Sequence, residues 1–249
     1  MKKLKINLAV SIVLLGVLTV LFVATTFAYF TDNKRLNTST ITAGNVEIVL
    51  SEAAVKRDEV GNLVKDAAVP RIFGGSGNEV HNYGEIYPSQ SIYKDPTIKN
   101  IGTDAAWVAF KVTVKDGGGD IRKIMGYTHS NHIDFHILFS GGLLAETARI
   151  GVWNGFERVI YNDNYAMVQV GSPAKDKYEF YFFLLNPLPK GESVTVFDTM
   201  KIPAEWNNGE MQELSELVID VEAFGVQKFN FETCFDAMTT ALPEYFTFN

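Results

Sequence analysis

The chain has 249 residues, a formal net charge of −7 and a hydrophobic fraction of 47%. That hydrophobic fraction excludes a globally disordered chain and is enough for a packed core. The acidic balance argues against nucleic-acid binding, which depends on basic side chains that neutralise phosphates. The single cysteine, Cys234, excludes an intramolecular disulfide framework.

The N-terminus has the parts of an export signal. Lysines at positions 2, 3 and 5 precede a stretch without charge from Leu8 to Phe27, and the small residue Ala28 follows. This order is typical of a secretory signal peptide and predicts cleavage between Ala28 and Tyr29. The apolar run also approaches the roughly 20 residues of a membrane span. An uncleaved N-terminal membrane helix is therefore the alternative, and in both cases the rest of the chain is exported.

The residues after the apolar run follow a known pattern. The segments AYFTD (residues 28–32) and NTSTITAGNVEI (residues 37–48) resemble the start of the TasA/camelysin family. In that family an apolar leader is followed by AxF(S/T)D and then by N-x-F-x-A-G-x-L-x-L; Ile41 stands where the family often has Phe. The resemblance implies that a signal peptidase of the SipW type removes the leader. It also implies that the mature protein lies outside the cell or on the surface of a bacterium.

Alternating apolar residues predict the first strands. Val46, Ile48 and Leu50 share one face of a strand, and residues 51–80 then lose this periodicity, which indicates an exposed loop. Residues 107–114 alternate again. Val108, Phe110, Val112 and Val114 are expected to form the buried face of that strand.

The C-terminal half predicts three further strands, at residues 178–185, 193–202 and 217–226. The run from YEFYFFLLNPLPKGESVTVF to VIDVEAFGVQ closely resembles the corresponding part of the TasA/camelysin family. We therefore expect an all-β fold, an antiparallel β-sandwich of the jelly-roll or immunoglobulin-like kind. Residues 1–28 are the signal peptide or membrane anchor. Residues 29–249 form a single domain, with excursions near 51–87 and 115–175.

A short helix is predicted near the C-terminus. Phe231, Phe235, Met238 and Leu242 recur at helical spacing, with Asn230 as the expected N-cap and a proline after Leu242 as the stop. We expect this helix to pack over an open end of the β-sandwich; docking of a partner protein is the alternative. A buried, inert thiol is the expected state of Cys234, which lies beside this helical face.

Three of the four histidines cluster in the sequence THSNHIDFH, residues 128–136. Strand alternation places His132, Asp134 and His136 on one face, with neighbouring ligands nearly 7 Å apart at a rise of about 3.3 Å per residue. That spacing is too wide for one zinc ion unless the strand bends. The HExxH motif of zinc peptidases is absent from the sequence. The histidine cluster is the candidate site for zinc, and acidic turns are the candidate sites for calcium. We expect no cofactor.

These observations lead to three functional hypotheses. The first is an extracellular structural protein, a TasA-like biofilm-matrix or fibre subunit that self-assembles by β-strand addition. Cleavage after Ala28 would free a donor strand in which Phe30, Ile41 and Ala43 are the candidate anchors. Its partners would be a SipW-type signal peptidase, the membrane during export, and copies of itself or related matrix proteins. The alternatives are a camelysin-like cell-surface metalloendopeptidase and a monomeric, membrane-anchored binding module.

Overall fold

A computed structural model of the chain describes residues 31–35, 46–73, 87–115, 127–128, 132–133, 138–171, 177–202, 204 and 218–248. For residues 31–35, 127–128 and 132–133 the description is limited to the backbone. The described strands are β1 Thr31–Arg35, β2 Ile48–Glu52, β3 Val55–Arg57, β4 Leu63–Lys65, β5 Ile72–Phe73, β6 Ser91–Tyr93, β7 Thr97–Asn100, β8 Ala106–Lys115, β9 Tyr127–Thr128, β10 His132–Ile133, β11 Phe139–Ser140, β12 Arg149–Trp153, β13 Phe156–Tyr161, β14 Tyr165–Gly171, β15 Lys177–Leu184, β16 Ser193–Thr195, β17 Thr199–Lys201 and β18 Val218–Gln227. A 3-10 helix spans Gly142–Ala145, and the α-helix α1 spans Cys234–Ala241.

The largest sheet has seven strands in the order β1-β18-β8-β15-β14-β13-β12, and all its pairings are antiparallel. A five-stranded sheet has the order β11-β17-β6-β4-β3, with β4 and β6 parallel, and a four-stranded sheet has the order β16-β7-β2-β5. Strands β9 and β10 pair with each other. The mostly antiparallel β-structure with one short C-terminal helix among the described residues confirms the all-β expectation.

The seven-stranded sheet is buried on both faces in its central strands. Val108 and Phe110 of β8 belong to a core that also includes Ile48 of β2 and Ile92 of β6, which come from the two smaller sheets. We call this side the inner face. Residues of β8 that alternate with them, such as Ala109, belong to a second core on the outer face. The sequence predicted burial of only the inner set.

Helix α1 and the C-terminal tail cover the outer face. Cys234 and Met238 of α1 are buried there, and the Phe246 ring lies 4.9 Å from the ring of Phe224 in β18. The helix ends before Pro243, as predicted. Its N-cap differs from the prediction, because the side chain of Thr233 accepts the bond from the Asp236 amide at 3.1 Å. The helix thus packs on the β-structure, but it covers a face of the seven-stranded sheet and not the open end of a sandwich.

Two segments contain more strand than the sequence indicated. The stretch expected to be a loop at residues 51–80 includes β3, β4 and β5. Strands β12, β13 and β14 lie within residues 115–175, and they extend the largest sheet instead of leaving it. The predicted strand over residues 193–202 is divided into β16 and β17, which join different sheets.

Candidate functional site

The N-terminal strand β1 lies at one end of the seven-stranded sheet and pairs with β18. The register runs from Thr31 opposite Val226 to Arg35 opposite Glu222. β18 pairs with β8 along its other side over all ten of its residues. Among the described strands, β1 is therefore the outermost strand of the sheet at this end; it pairs only with β18 and also lies close to β2.

Strand β1 has the sequence TDNKR and contains no apolar side chain. A strand of this composition is held in a sheet mainly by main-chain hydrogen bonds, each with a net contribution of about 0.5–1.5 kcal/mol. Main-chain pairing does not depend on the identity of the side chains, which is the basis of β-strand addition between proteins. Charged residues at a sheet edge also discourage further strands from adding on the far side.

Gly225 of β18 allows strand β2 to approach the strand pair closely on the inner face. A Cβ atom at Gly225 would lie 3.1 Å from Cγ2 of Ile48 and 3.2 Å from Cγ1 of Val46. Both contacts are tighter than an ordinary van der Waals contact, so a larger residue would force β2 away. The segment AFGVQ at the end of β18 therefore has two contacts: it pairs with β1 along its edge, and it packs against β2 on the inner face.

Residues 36–45 connect β1 to Val46, and they lie outside the described residues. Ten connecting residues can span at most about 35 Å when fully extended. The predicted cleavage residues Ala28 and Tyr29 and the predicted anchors Phe30, Ile41 and Ala43 also lie outside the described residues. The structure places the segment immediately after Phe30, beginning with Thr31, in the sheet.

A group of charged side chains lies on the outer face of the strands next to β1. Lys111 Nζ lies 3.2 Å from Glu222 Oε1 and 3.7 Å from Glu179 Oε1. The Tyr181 hydroxyl donates to Glu179 Oε2 at 3.1 Å, and burial followed by the charge of Glu179 raises the pKa of Tyr181. In the backbone register Arg35 of β1 lies opposite Glu222, so β1 ends beside the charged group.

Sequence reasoning missed this charged group. Lys111 was visible as one of the residues that alternate with the buried set, but its partners come from strands far away in the chain. The pairing of β15, β8 and β18 places Glu222 directly opposite Lys111 and Glu179 on the diagonal to it. Lys177 Nζ lies 3.3 Å from Glu179 Oε1, so the two carboxylates of the group are balanced by two lysines, and the buried Lys111 has charged partners on both neighbouring strands.

A second charged group joins the smaller sheets. Lys94 Nζ lies 2.5 Å from Glu52 Oε1 with both side chains buried, and Arg71 Nη1 lies 2.6 Å from Asp95 Oδ2. Asp95 also accepts from the Ala53 amide at 2.7 Å. Loss of one member of such a buried pair typically costs about 3–5 kcal/mol because the other charge is left without compensation. We interpret this group as a structural connection between β2 and the β6–β7 corner.

The histidine cluster has only a partial structural description. His132 is in strand β10, which agrees with the predicted strand, but its side chain is not described, and Asp134 and His136 lie outside the described residues. Across the ranges that the structure describes, no three His, Cys, Asp or Glu side chains are grouped as metal ligands. The metal prediction at the histidines stays a prediction.

Cys234 is confirmed as a buried residue. Its Sγ lies 3.2 Å from the carbonyl oxygen of Val108, and complete burial raises the pKa of the thiol. None of the helices among the described residues has both the length and the apolar character needed to cross a membrane. Residues 1–28, where the leader is predicted, are outside that description.

Comparison of the chain with protein-family models, curated proteins and solved structures finds no match. The similarity to the TasA/camelysin family therefore rests on the residue patterns quoted above.

Proposed function

We propose that this protein is an exported structural subunit of a bacterial surface or extracellular matrix that assembles by exchange of its N-terminal strand. In the assembled form, β1 of one copy pairs with β18 of the next copy instead of its own. The position of β1 is the observation that carries the proposal. It is an edge strand, and it begins two residues after the predicted new N-terminus at Tyr29.

The composition of β1 supports exchange between copies. Since none of its five side chains is apolar, moving β1 from one copy to another removes no hydrophobic side chain from a core. The main-chain bonds broken in one copy are formed again in the next. Exchange of an identical element is a low-cost route to oligomers for this reason. The connection through residues 36–45 is long enough to let β1 reach a neighbouring copy.

The leader would control this exchange. Before cleavage the apolar residues 8–27 hold the segment that precedes β1 in the membrane, and a SipW-type peptidase then releases it at Tyr29. The freed segment can present Phe30 ahead of β1 and Ile41 and Ala43 behind it as apolar anchors. Cleavage therefore changes a tethered monomer into a subunit able to polymerise on the outside of the cell.

The proposal is tested by blocking the pairing of β1 in the exported protein. Ala106 of β8 exchanges its main-chain bonds with Leu188 and not with β18, and regular alternation from there turns the amide and carbonyl of Ala223 toward Lys34 of β1. Proline at Lys34 therefore removes an amide donor from the pairing of β1 with β18 and distorts the strand. We expect Lys34→Pro to reduce the mass of assembled species, measured by light scattering across a concentration series, to that of the monomer. Lys34→Thr, which keeps the donor and favours strand structure, is the matched control and should assemble normally.

Two further results bear on the same point. A form that starts at Leu36, and therefore lacks β1, should fail to assemble. Equal assembly by this form and by the form starting at Tyr29 would contradict strand exchange. Retention of residues 1–28 in an exported protein that remains monomeric at every concentration would also contradict it and would indicate a membrane-anchored module.

A further inference from the structure

Strand β12 lies at the opposite end of the seven-stranded sheet from β1. It has the sequence RIGVW, and two of its side chains are strongly exposed: Ile150 at 70% and Val152 at 68%. Edge strands of soluble proteins usually carry charge or irregularity that prevents pairing with another chain. An edge with two exposed apolar side chains is instead a template for pairing.

Strand β12 is held firmly in place by a tight hairpin. Asn154 and Gly155 have φ angles of 46° and 85°, and positive φ at both central residues is the requirement of a type I′ turn. The Trp153 ring before the turn lies 5.3 Å from the ring of Phe183 and 5.4 Å from that of Phe235. Trp153 thus packs in the outer-face core at one end of β12, and this packing fixes the position of the edge strand.

The hairpin contains a β-bulge, and the extra residue of the bulge is in β13. Gly151 pairs with Val159 and Trp153 pairs with Phe156, so two residues of β13, Glu157 and Arg158, stand opposite Val152. Arg158 has a φ of 59°, as expected for a residue in a bulge. Because the extra residue is in β13, the backbone of β12 keeps regular alternation along its outer side.

That alternation decides which backbone groups face outward. Residues that flank a two-residue hairpin turn form a hydrogen-bonded pair, so the amide and carbonyl of Trp153 point toward β13. Gly151 and Arg149 point the same way, two and four residues earlier. The amides and carbonyls of Ile150 and Val152 therefore point away from the sheet, where an added strand would bind them.

We propose that β12 pairs antiparallel with β12 of a second copy of this chain, about a two-fold axis through Gly151. This register places Ile150 opposite Val152 of the second copy, so that the outward backbone groups of both residues are bonded. The four apolar side chains then form one continuous strip. Gly151 meets Gly151 of the second copy at the axis, where the absence of side chains allows the closest approach.

The residues of β12 are complementary to a second copy of β12. A two-fold contact requires a surface that is complementary to its own copy. In the register centred on Gly151, Arg149 lies opposite Trp153 of the second copy, which avoids two like charges facing each other. The Arg149 guanidinium keeps its place over the ring of Tyr161 in its own copy, 4.7 Å from the ring centroid. No other register pairs all five residues of β12.

The contact is small, so its affinity should be low. A five-residue edge buries much less than the roughly 1,200 Å² typical of stable complexes. The β12 contact needs no exchange of β1. When β1 exchange links copies into chains, however, many weak β12 contacts would act together and join the chains laterally.

Disulfide trapping in the exported protein tests the pairing and its register. Ile150→Cys and Val152→Cys variants are mixed and oxidised, and the expected product is the mixed dimer, because these two positions face each other. Each variant alone should cross-link more slowly, since identical positions are diagonal in this register. Ile101→Cys, at an exposed residue outside the strands, is the control, and the buried native Cys234 should stay unreactive.

The same mixture is also oxidised in the Lys34→Pro background, which separates the β12 contact from the proposed exchange of β1. Persistence of the mixed dimer there supports the β12 contact whether or not β1 exchanges. Cross-linking no faster than that of Ile101→Cys, or equal yields from each single variant and the mixture, would overturn the proposal.

Sedimentation equilibrium provides a second measurement. Replacement of Ile150 and Val152 by lysine puts charge on both outward positions of the edge and should raise the dimer dissociation constant at least about tenfold. Ile101→Lys adds a charge elsewhere and should leave the constant unchanged. An unchanged constant in the double lysine variant would overturn the proposal.

Discussion

Strands β1 and β12 occupy the two ends of the same seven-stranded sheet, and they are held there in different ways. Strand β1 carries only polar and charged residues and pairs with a neighbour to which no described turn connects it. Strand β12 is connected to its neighbour by a two-residue turn, and its Trp153 packs in the outer-face core. Under the proposed function, β1 is the strand that moves to another copy, whereas β12 stays in its own sheet.

Both edges depend on the central strands, and a substitution there should have the largest effect. Phe110 of β8 is fully buried, with its ring 4.7 Å from that of Phe182. We expect Phe110→Ala to lower the free energy of unfolding by about 3–5 kcal/mol, measured by urea denaturation. Phe110→Leu, which keeps most of the volume, should cost less than about 1.5 kcal/mol. Equal effects of the two variants would contradict this packing.

Removal of Trp153 should distinguish the two edges. We expect Trp153→Ala to cost about 2 kcal/mol, less than a fully buried aromatic residue, because this side chain is half-buried. Hydrogen exchange measured by mass spectrometry should become faster in β12 and β13 but stay unchanged in β1. Trp153→Phe is the control. An equal change at both edges would show that the hairpin is not independently anchored by this ring.

A substitution in the turn next to β12 should have a smaller effect on stability, and a second glycine with a similar φ angle provides the control. Gly155 and Gly191 have φ angles of 85° and 82°, and a Cβ at either would meet no atom within 4 Å. Alanine at each should therefore cost about 1–2 kcal/mol through backbone conformation alone. Only Gly155→Ala should speed exchange in β12 and slow the disulfide trapping of that edge. Slower trapping in Gly191→Ala as well would point to a general loss of stability.

The smallest expected effect touches neither edge. Burial, followed by the hydrogen bond to Asp95, raises the pKa of Tyr93 in β6 from 10.0 to about 12. Since the folded pKa lies above the unfolded value, this contribution to stability is present below pH 10 and is lost as the pH rises toward 12. The melting temperature should fall less steeply over this range in Tyr93→Phe than in the wild type. Parallel curves would contradict the assignment.

The sequence predicted the parts of the fold that local pattern determines. Strands β8, β15 and β18 were visible as runs of β-branched and aromatic residues, and the end of α1 was marked by Pro243. The Asn154-Gly155 pair is also a local hairpin signal, and it forms the turn between β12 and β13. The helix start was wrong because Asn230 and Thr233 are both good capping residues.

Other features could not be derived from local pattern. Strand β1 lacks apolar alternation, so its sequence does not distinguish an edge strand from a polar linker. The charged group of Lys111, Glu179 and Glu222 depends on pairing between residues about 70 to 110 positions apart along the chain. Similarly, the exposure of Ile150 and Val152 follows from the end position of β12, which is a property of the whole sheet.

The proposed function requires that the edge of β18 accepts a β1 strand from another copy. It is tested most directly by adding a peptide of residues 29–45 to the protein form that starts at Leu36, with binding followed by isothermal titration calorimetry. We predict saturable binding of one peptide per chain, abolished by proline in place of Lys34 in the peptide. The same peptide should inhibit assembly of the form that starts at Tyr29. A folded acceptor that binds no peptide, or binds the proline variant equally well, would contradict strand exchange.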